Sequence, residues 1–255
     1  MPVIGPISTT LEGVKLFMKT LIDSKPWLTE ASLLPFPWRQ DVTHLDKGGG
    51  KKLKVGVIWD DGVVKPHPPV IRAISEVVSK LKVSPDIEVV DWKPFKHDEA
   101  WEIIASLYFC DGGREETEAI EASGEPWRPL SQFILKENPF VKAMSVPEVW
   151  KMTIRREMYR NAYAKVWRDT GSGKGPNGEL EGMVDVILCP VGPGAAPPLN
   201  QARYWGYTAQ WNLLDYPALI FPVTKVDPKV DVADASYKPR NEKDGFNHML
   251  CKRSN

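Results

Sequence analysis

The feature that most constrains this chain is a strand–helix–strand alternation over residues 53–92. Leu53-Lys54-Val55-Gly56-Val57-Ile58 is a short apolar run. Pro68 and Pro69 then open a segment in which Val70, Ile71, Ile74, Val77, Val78 and Leu81 recur at helical period. Proline suits a first helical turn, where its missing N–H loses no partner. Ile87-Glu88-Val89-Val90-Asp91-Trp92 reads as a second strand. Two strands joined by a crossover helix lie parallel in one sheet, with a right-handed connection. A parallel sheet has both faces covered. The expected class is therefore α/β, a mostly parallel or mixed sheet covered by helices.

The rest of the chain fits around that unit. Residues 8–22 read as a helix with Leu11, Val14, Phe17, Met18, Leu21 and Ile22 in phase, capped at Thr9 by its spacing to Glu12 or at Ser8. A proline-punctuated loop follows over 23–50 and ends in Gly48-Gly49-Gly50. Helices are expected at 97–110, 114–123, 147–169 and 207–214. The longest carries an apolar stripe of Val149, Trp150, Ile154, Met158, Ala162, Val166 and Trp167, with Arg155, Arg156, Arg160, Lys165 and Arg168 read as its solvated face. Further strands are expected at 184–188 and 218–223. The end, from Asn247 to Asn255, shows no apolar period and reads as a frayed, irregular tail.

Several chemistries are set aside. Lys plus Arg equals Asp plus Glu at 33 each, so the basic excess of a nucleic-acid binder is missing. No run of about 18 apolar residues spans a membrane, and the first residues carry no basic and apolar pattern of a secretory signal. Three well-separated cysteines, Cys110, Cys189 and Cys251, fit reduced thiols; with the absent signals this predicts a cytoplasmic protein. Gly173-x-Gly175-x-x-Gly178 matches a dinucleotide fingerprint as a string, but it follows a helix and contains Pro176. Asp169-Thr170-Gly171-Ser172 stands alone, without the second carboxylate that aspartic-protease chemistry needs. His44, His67, His97 and His248 lack zinc-ligand spacing, and no Gly-x-Ser-x-Gly elbow occurs. Cys189, at the end of a strand, is the best-placed thiol, since sheet ends are where sites are built.

Four stretches in order carry a family likeness: Gly5-Pro6-Ile7-Ser8 before Leu16-Phe17-Met18-Lys19; the strand at 53–58 with Trp59-Asp60-Asp61-Gly62 and Pro66-His67-Pro68-Pro69-Val70; Asp185-Val186-Ile187-Leu188-Cys189-Pro190; and Tyr207-Thr208, Asn212-Leu213-Leu214-Asp215-Tyr216-Pro217-Ala218, Phe221-Pro222-Val223-Thr224. Together they resemble the amidase signature family, in its fungal acetamidase-like branch. The resemblance implies an amidase-signature-like α/β fold, incomplete at both ends, with residues 1–243 a partial amidase domain and 244–255 a tail. It implies carboxamide hydrolysis by a Ser, a cis-Ser and a Lys. No Gly-Gly-Ser-Ser-Gly segment of the kind that holds those serines occurs in these 255 residues. The chain is therefore expected to be inactive alone and to offer pocket wall: Thr208, Trp211, Asn212, Cys189 and Gly192. No cofactor or metal is implied. The partner would be a small-molecule amide in intact homologues, with self-association through exposed sheet edges. The alternative is a small-molecule-binding or association module without catalysis.

Overall fold

The structure is a computed structural model and describes residues 5–39, 52–175, 178 and 180–253. Its chain divides into two compact units, Met1–Lys51 and Lys52–Asn255.

The first unit contains α1 (Leu11–Asp23). Its N-cap is Thr10, not Thr9 or Ser8: the Thr10 hydroxyl accepts the Gly13 N–H at 3.1 Å. A side-chain oxygen there satisfies one of the unpaired donors of the first turn. Lys25, with φ +55°, reverses the chain into a single 3₁₀ turn at Pro26–Leu28. The Gly48–Gly50 run lies outside the described residues.

The second unit is built on the βαβ alternation. β1 (Leu53–Val57), α2 (Pro68–Val83) and β2 (Ile87–Asp91) form it, and β1 pairs β2 in parallel with Val55 opposite Val89. β5 (Val186–Leu188), later in the chain, pairs β1 in parallel on the other side, giving the order β2-β1-β5. Ile74 and Val78 of α2 pack on Val57 from one face. The other face carries the main core, where Ile58, Trp92, Ile103, Ile104, Tyr159, Tyr163 and Leu213 are buried together. Gly56 sits where the layers approach closely: a Cβ there would lie 3.1 Å from Trp92 and from Val184.

The helices over that face are α3 (His97–Tyr108), α6 (Val146–Arg168) and α7 (Gly206–Leu214). Between α3 and α6 lie α4 (Arg114–Ser123), α5 (Pro129–Gln132) and a π-helical turn at Phe133–Glu137. α6 starts on a capping box between Ser145 and Glu148. Its buried face matches the predicted stripe only at the C-terminal end, where Val166 and Trp167 pack on the core. Tyr159 and Tyr163 are buried, whereas Trp150, Ile154 and Met158 are exposed. The two tyrosines escape a count of aliphatic residues, yet their rings do the packing, and the Tyr159 hydroxyl donates to the Phe95 carbonyl at 2.8 Å. The basic face also differs from expectation. Arg155 forks onto Glu102 of α3, and Arg160 donates to the Leu213 carbonyl at 2.6 Å. These arginines bind α6 to its neighbours.

The glycine-rich stretch after α6 forms an antiparallel pair, β3 (Gly173–Lys174) with β4 (Leu180–Glu181). A strand at 218–223 is not formed. Leu219, Ile220 and Phe221 are exposed, and no described strand pairs with them. Pro217 and Pro222 remove two of the N–H donors that a ladder would need. The frayed tail is likewise corrected: Glu242–Arg253 is a helix, α8. Its buried positions are Asp244, Asn247, Leu250 and Cys251. Half of that face is polar, so the helical period is invisible to a hydrophobic count.

Candidate functional site

Three parallel strands send their chains out at the same edge of the sheet, and crevices beyond the carboxyl ends of such strands are where α/β proteins bind ligands. The loop after β1 is shaped by Asp60-Asp61-Gly62. Asp61 is buried, and its Oδ1 accepts the N–H groups of Val63 at 2.8 Å and Val64 at 2.9 Å. Its Oδ2 accepts the Tyr204 hydroxyl at 2.5 Å. Burial raises the Asp61 carboxyl above the ordinary range, and those hydrogen bonds oppose the rise. The Tyr207 hydroxyl accepts the Asp61 N–H at 3.2 Å and donates to the Val64 carbonyl at 2.6 Å. Gly62 takes φ +81°, a left-handed conformation that a side chain strains.

The far side of the same loop is held by the region before and within α8. Arg240 forks onto Asp60 at 2.7 and 2.5 Å, and Asp244 accepts the Lys65 N–H at 2.9 Å and the Tyr237 hydroxyl at 2.5 Å. His67 N–H donates to the Pro193 carbonyl at 2.6 Å, tying this loop to the turn after β5. A Cβ at Gly194 would stand 2.8 Å from the His67 ring, so that contact needs glycine. Between the β1 and β2 loops lies a shallow cavity of about 270 Å³ lined by Asp61, Gly62, Val63, Pro94, Lys96 and His97, among others. His97 is buried, and neither ring nitrogen has a partner among the described residues. Burial pushes its imidazole down to about 4, against the fields of Asp98 and Asp60.

The predicted wall residues divide. Cys189 and Trp211 meet: burial pushes the Cys189 thiol up to about 11, and a hydrogen bond with Trp211 works against that rise. The Trp211 ring stands edge-on to Tyr163 at 6.4 Å. Tyr163 is fully buried, its hydroxyl facing the Trp92 side chain and making no well-formed hydrogen bond among the described residues. Asn212 is exposed and turns instead toward the Tyr108 hydroxyl on α3. Thr208 is exposed, its hydroxyl donating to the Trp205 carbonyl at 3.1 Å as a local helix contact. Gly192 sits in the turn after β5, where a Cβ would meet nothing within 4 Å. Asp61, Tyr204, Tyr207 and His97 were not foreseen as a group. The signal for the first was present: an Asp-Asp-Gly directly after a strand is an Asx-turn sequence. No group of three or more metal-ligating side chains that could hold an ion occurs among the described residues.

With this geometry in view, residues 1–244 match the family model described as Amidase. The chain belongs to the amidase family. It is 44% identical over 246 residues to the amidase-family protein C550.07 of Schizosaccharomyces pombe, covering 96% of this chain and 43% of that protein. It is 34% identical to the acetamidase of Emericella nidulans, again covering 96% of this chain and 43% of the relative. A solved structure of fatty acid amide hydrolase superposes with a TM-score of 0.83 at 28% identity, over 96% of this chain and 41% of that one. The chain thus spans less than half the length of these relatives. No helix among the described residues is long and apolar enough to cross a membrane.

Proposed function

We propose that these 255 residues form pocket wall of an amide hydrolase and do not hydrolyse amides by themselves. The observation that carries this is the convergence of the chain ends of β1, β2 and β5 on one edge, with Cys189 and Trp211 meeting beside it, in a chain without a Gly-Gly-Ser-Ser-Gly segment. The family chemistry needs a serine nucleophile, a proton relay through a second serine to a neutral lysine, and backbone donors for the oxyanion. The chain offers no residue that matches those motifs. Its one strand-end thiol, Cys189, is held protonated by burial, the opposite of an activated nucleophile. The substrate class is a small carboxamide, by similarity to the acetamidases.

The test is direct. Purified residues 1–255 incubated with acetamide and benzamide should release ammonia no faster than buffer. Turnover that survives repurification and tracks the protein peak would overturn the proposal.

A further inference from the structure

The loop from β5 to α7 contains a single charged residue, Arg203. Its guanidinium lies between two phenylalanine rings, with Cζ 4.8 Å from the centroid of Phe133 and 4.9 Å from that of Phe246. A cation is drawn to the negative face of an aromatic ring, so the two rings hold the group from both sides. Arg203 forms no ion pair and no side-chain hydrogen bond with a described residue, and its Nε is buried. Arg72, Arg155 and Arg240, by contrast, each grip a carboxylate. Phe133 opens the π-helical turn and packs on the main core, and Phe246 comes from α8. π-helical turns are rare and concentrate at functional sites. Phe246 lies beyond residues 1–244, the span that matches the family model, so the family pattern does not account for this clamp. The backbone that carries Arg203 is anchored on its far side: Tyr204 donates to Asp61 of the β1 loop, and Trp205 stands edge-on to Trp101 of α3.

A guanidinium held flat in this way presents the parallel N–H donors of Nη1 and Nη2, whose spacing matches the two oxygens of a carboxylate. A carboxylate bound to that fork lies in the guanidinium plane, hence in the slot between the rings. A flat apolar substituent continues the same plane and meets the positive ring edges with its own negative face or packs against them. A phosphate is tetrahedral and carries up to two charges, against one cation here. We infer that Arg203, Phe133 and Phe246 form a receptor for a small planar monocarboxylate of the aryl class, with benzoate as the simplest probe. It uses none of the wall residues named above and does not rest on the proposed function.

Benzoate titrated into the purified chain carrying isotope-labelled arginine should move the Arg203 side-chain resonance along a saturable, single-site curve. That resonance is identified by its loss in Arg203→Lys. Affinities for ligands and variants are then read by titration calorimetry. Benzamide, the neutral isostere, should bind about tenfold or more weakly than benzoate, since it lacks the charge that strengthens both hydrogen bonds. Acetate, which stands in for a protein carboxylate, and inorganic phosphate should both bind more weakly than benzoate. Arg203→Gln should weaken benzoate binding by about tenfold or more. Arg203→Lys keeps the charge but loses the fork and should also weaken it. Phe246→Leu should weaken it by about 2- to 30-fold. Circular dichroism checks folding, and where a variant does not fold, the ligand series on the wild type decides. The inference is overturned by no saturable response, or by binding that leaves the Arg203 resonance in place. It is overturned by benzamide equal to benzoate, which would make the slot an apolar pocket without carboxylate recognition. Phosphate as tight as benzoate would make it a general anion site, and acetate as tight would assign the guanidinium to a carboxylate of another protein segment; either overturns it. Folded Arg203→Gln or Phe246→Leu that binds benzoate like wild type overturns it equally.

Discussion

Replacing His97 with Phe should remove most of the chain's loss of stability between pH 6.5 and pH 4. His97 opens α3 in the core with neither ring nitrogen paired among the described residues, and its folded-state imidazole sits at about 4 against an ordinary 6.5. Between those values the unfolded chain binds a proton that the folded chain refuses. Stability therefore rises with pH across the window, and it is lost as pH falls from 6.5 to about 4. A gap of that size is worth about 3 kcal/mol at about 1.4 kcal/mol per pH unit, a large part of the roughly 5–15 kcal/mol of a typical domain. His67, also lowered by burial, contributes in the same direction, while the raised Asp61 carboxyl acts in the opposite one. Those contributions are common to both proteins and cancel in the comparison. Phenylalanine keeps the ring volume and has no proton to bind. The assay is urea unfolding followed by the fluorescence of the ten tryptophans, at pH 7 and at pH 4. The wild type should lose about 3 kcal/mol more than His97→Phe on acidification. Equal losses in the two proteins would refute the placement of an uncharged, unpaired imidazole in this core.

Other consequences follow from single contacts. Gly56→Ala should destabilise by about 1–3 kcal/mol in the same unfolding assay, since the new methyl meets Trp92 and Val184 at 3.1 Å in the central strand. Tyr163→Phe should leave stability unchanged or raise it by up to about 1 kcal/mol, because the hydroxyl it removes is buried with no well-formed hydrogen bond among the described residues. Asp231→Asn should lower stability and flatten its acid dependence: Arg72 holds the Asp231 carboxyl down at about 2, so its stabilisation is present above about pH 3.8 and is lost as pH falls toward 2. In a full-length relative, alanine at the place matching Trp211 should change the ranking of acyl groups among amide substrates; lowered stability with unchanged ranking would make Trp211 a packing residue.

The βαβ unit was legible because both of its signals are local: two apolar runs of strand length, and a proline-opened helix at period 3.6. The helices at 97–108, 114–123 and 206–214 were legible for the same reason. What escaped had a partner the local pattern does not contain. Residues 218–223 have the composition of a strand, but a strand is a pairing, and among the described residues none pairs with them. α8 was missed because Asp244 and Asn247, not aliphatic side chains, occupy half of its buried face. On α6 the hydrophobic count chose Val166 and Trp167, which pack on the core, but also Trp150, Ile154 and Met158, which do not, and it passed over Tyr159 and Tyr163, whose polar atoms hid ring-sized apolar surfaces. Within the site, Cys189 and Trp211 could be named from the family likeness. The Asp61–Tyr204–Tyr207 cluster joins residues more than 140 positions apart and needed the fold to be seen.

The most direct test of the claim that this chain is wall without nucleophile is covalent labelling with a fluorophosphonate probe. The Schizosaccharomyces pombe relative, run beside it at the same concentration, serves as the reference. Stoichiometric serine labelling is expected for the full-length relative and none above background for the purified 255-residue chain. A serine of this chain labelled in its folded state, and spared after denaturation, would contradict it.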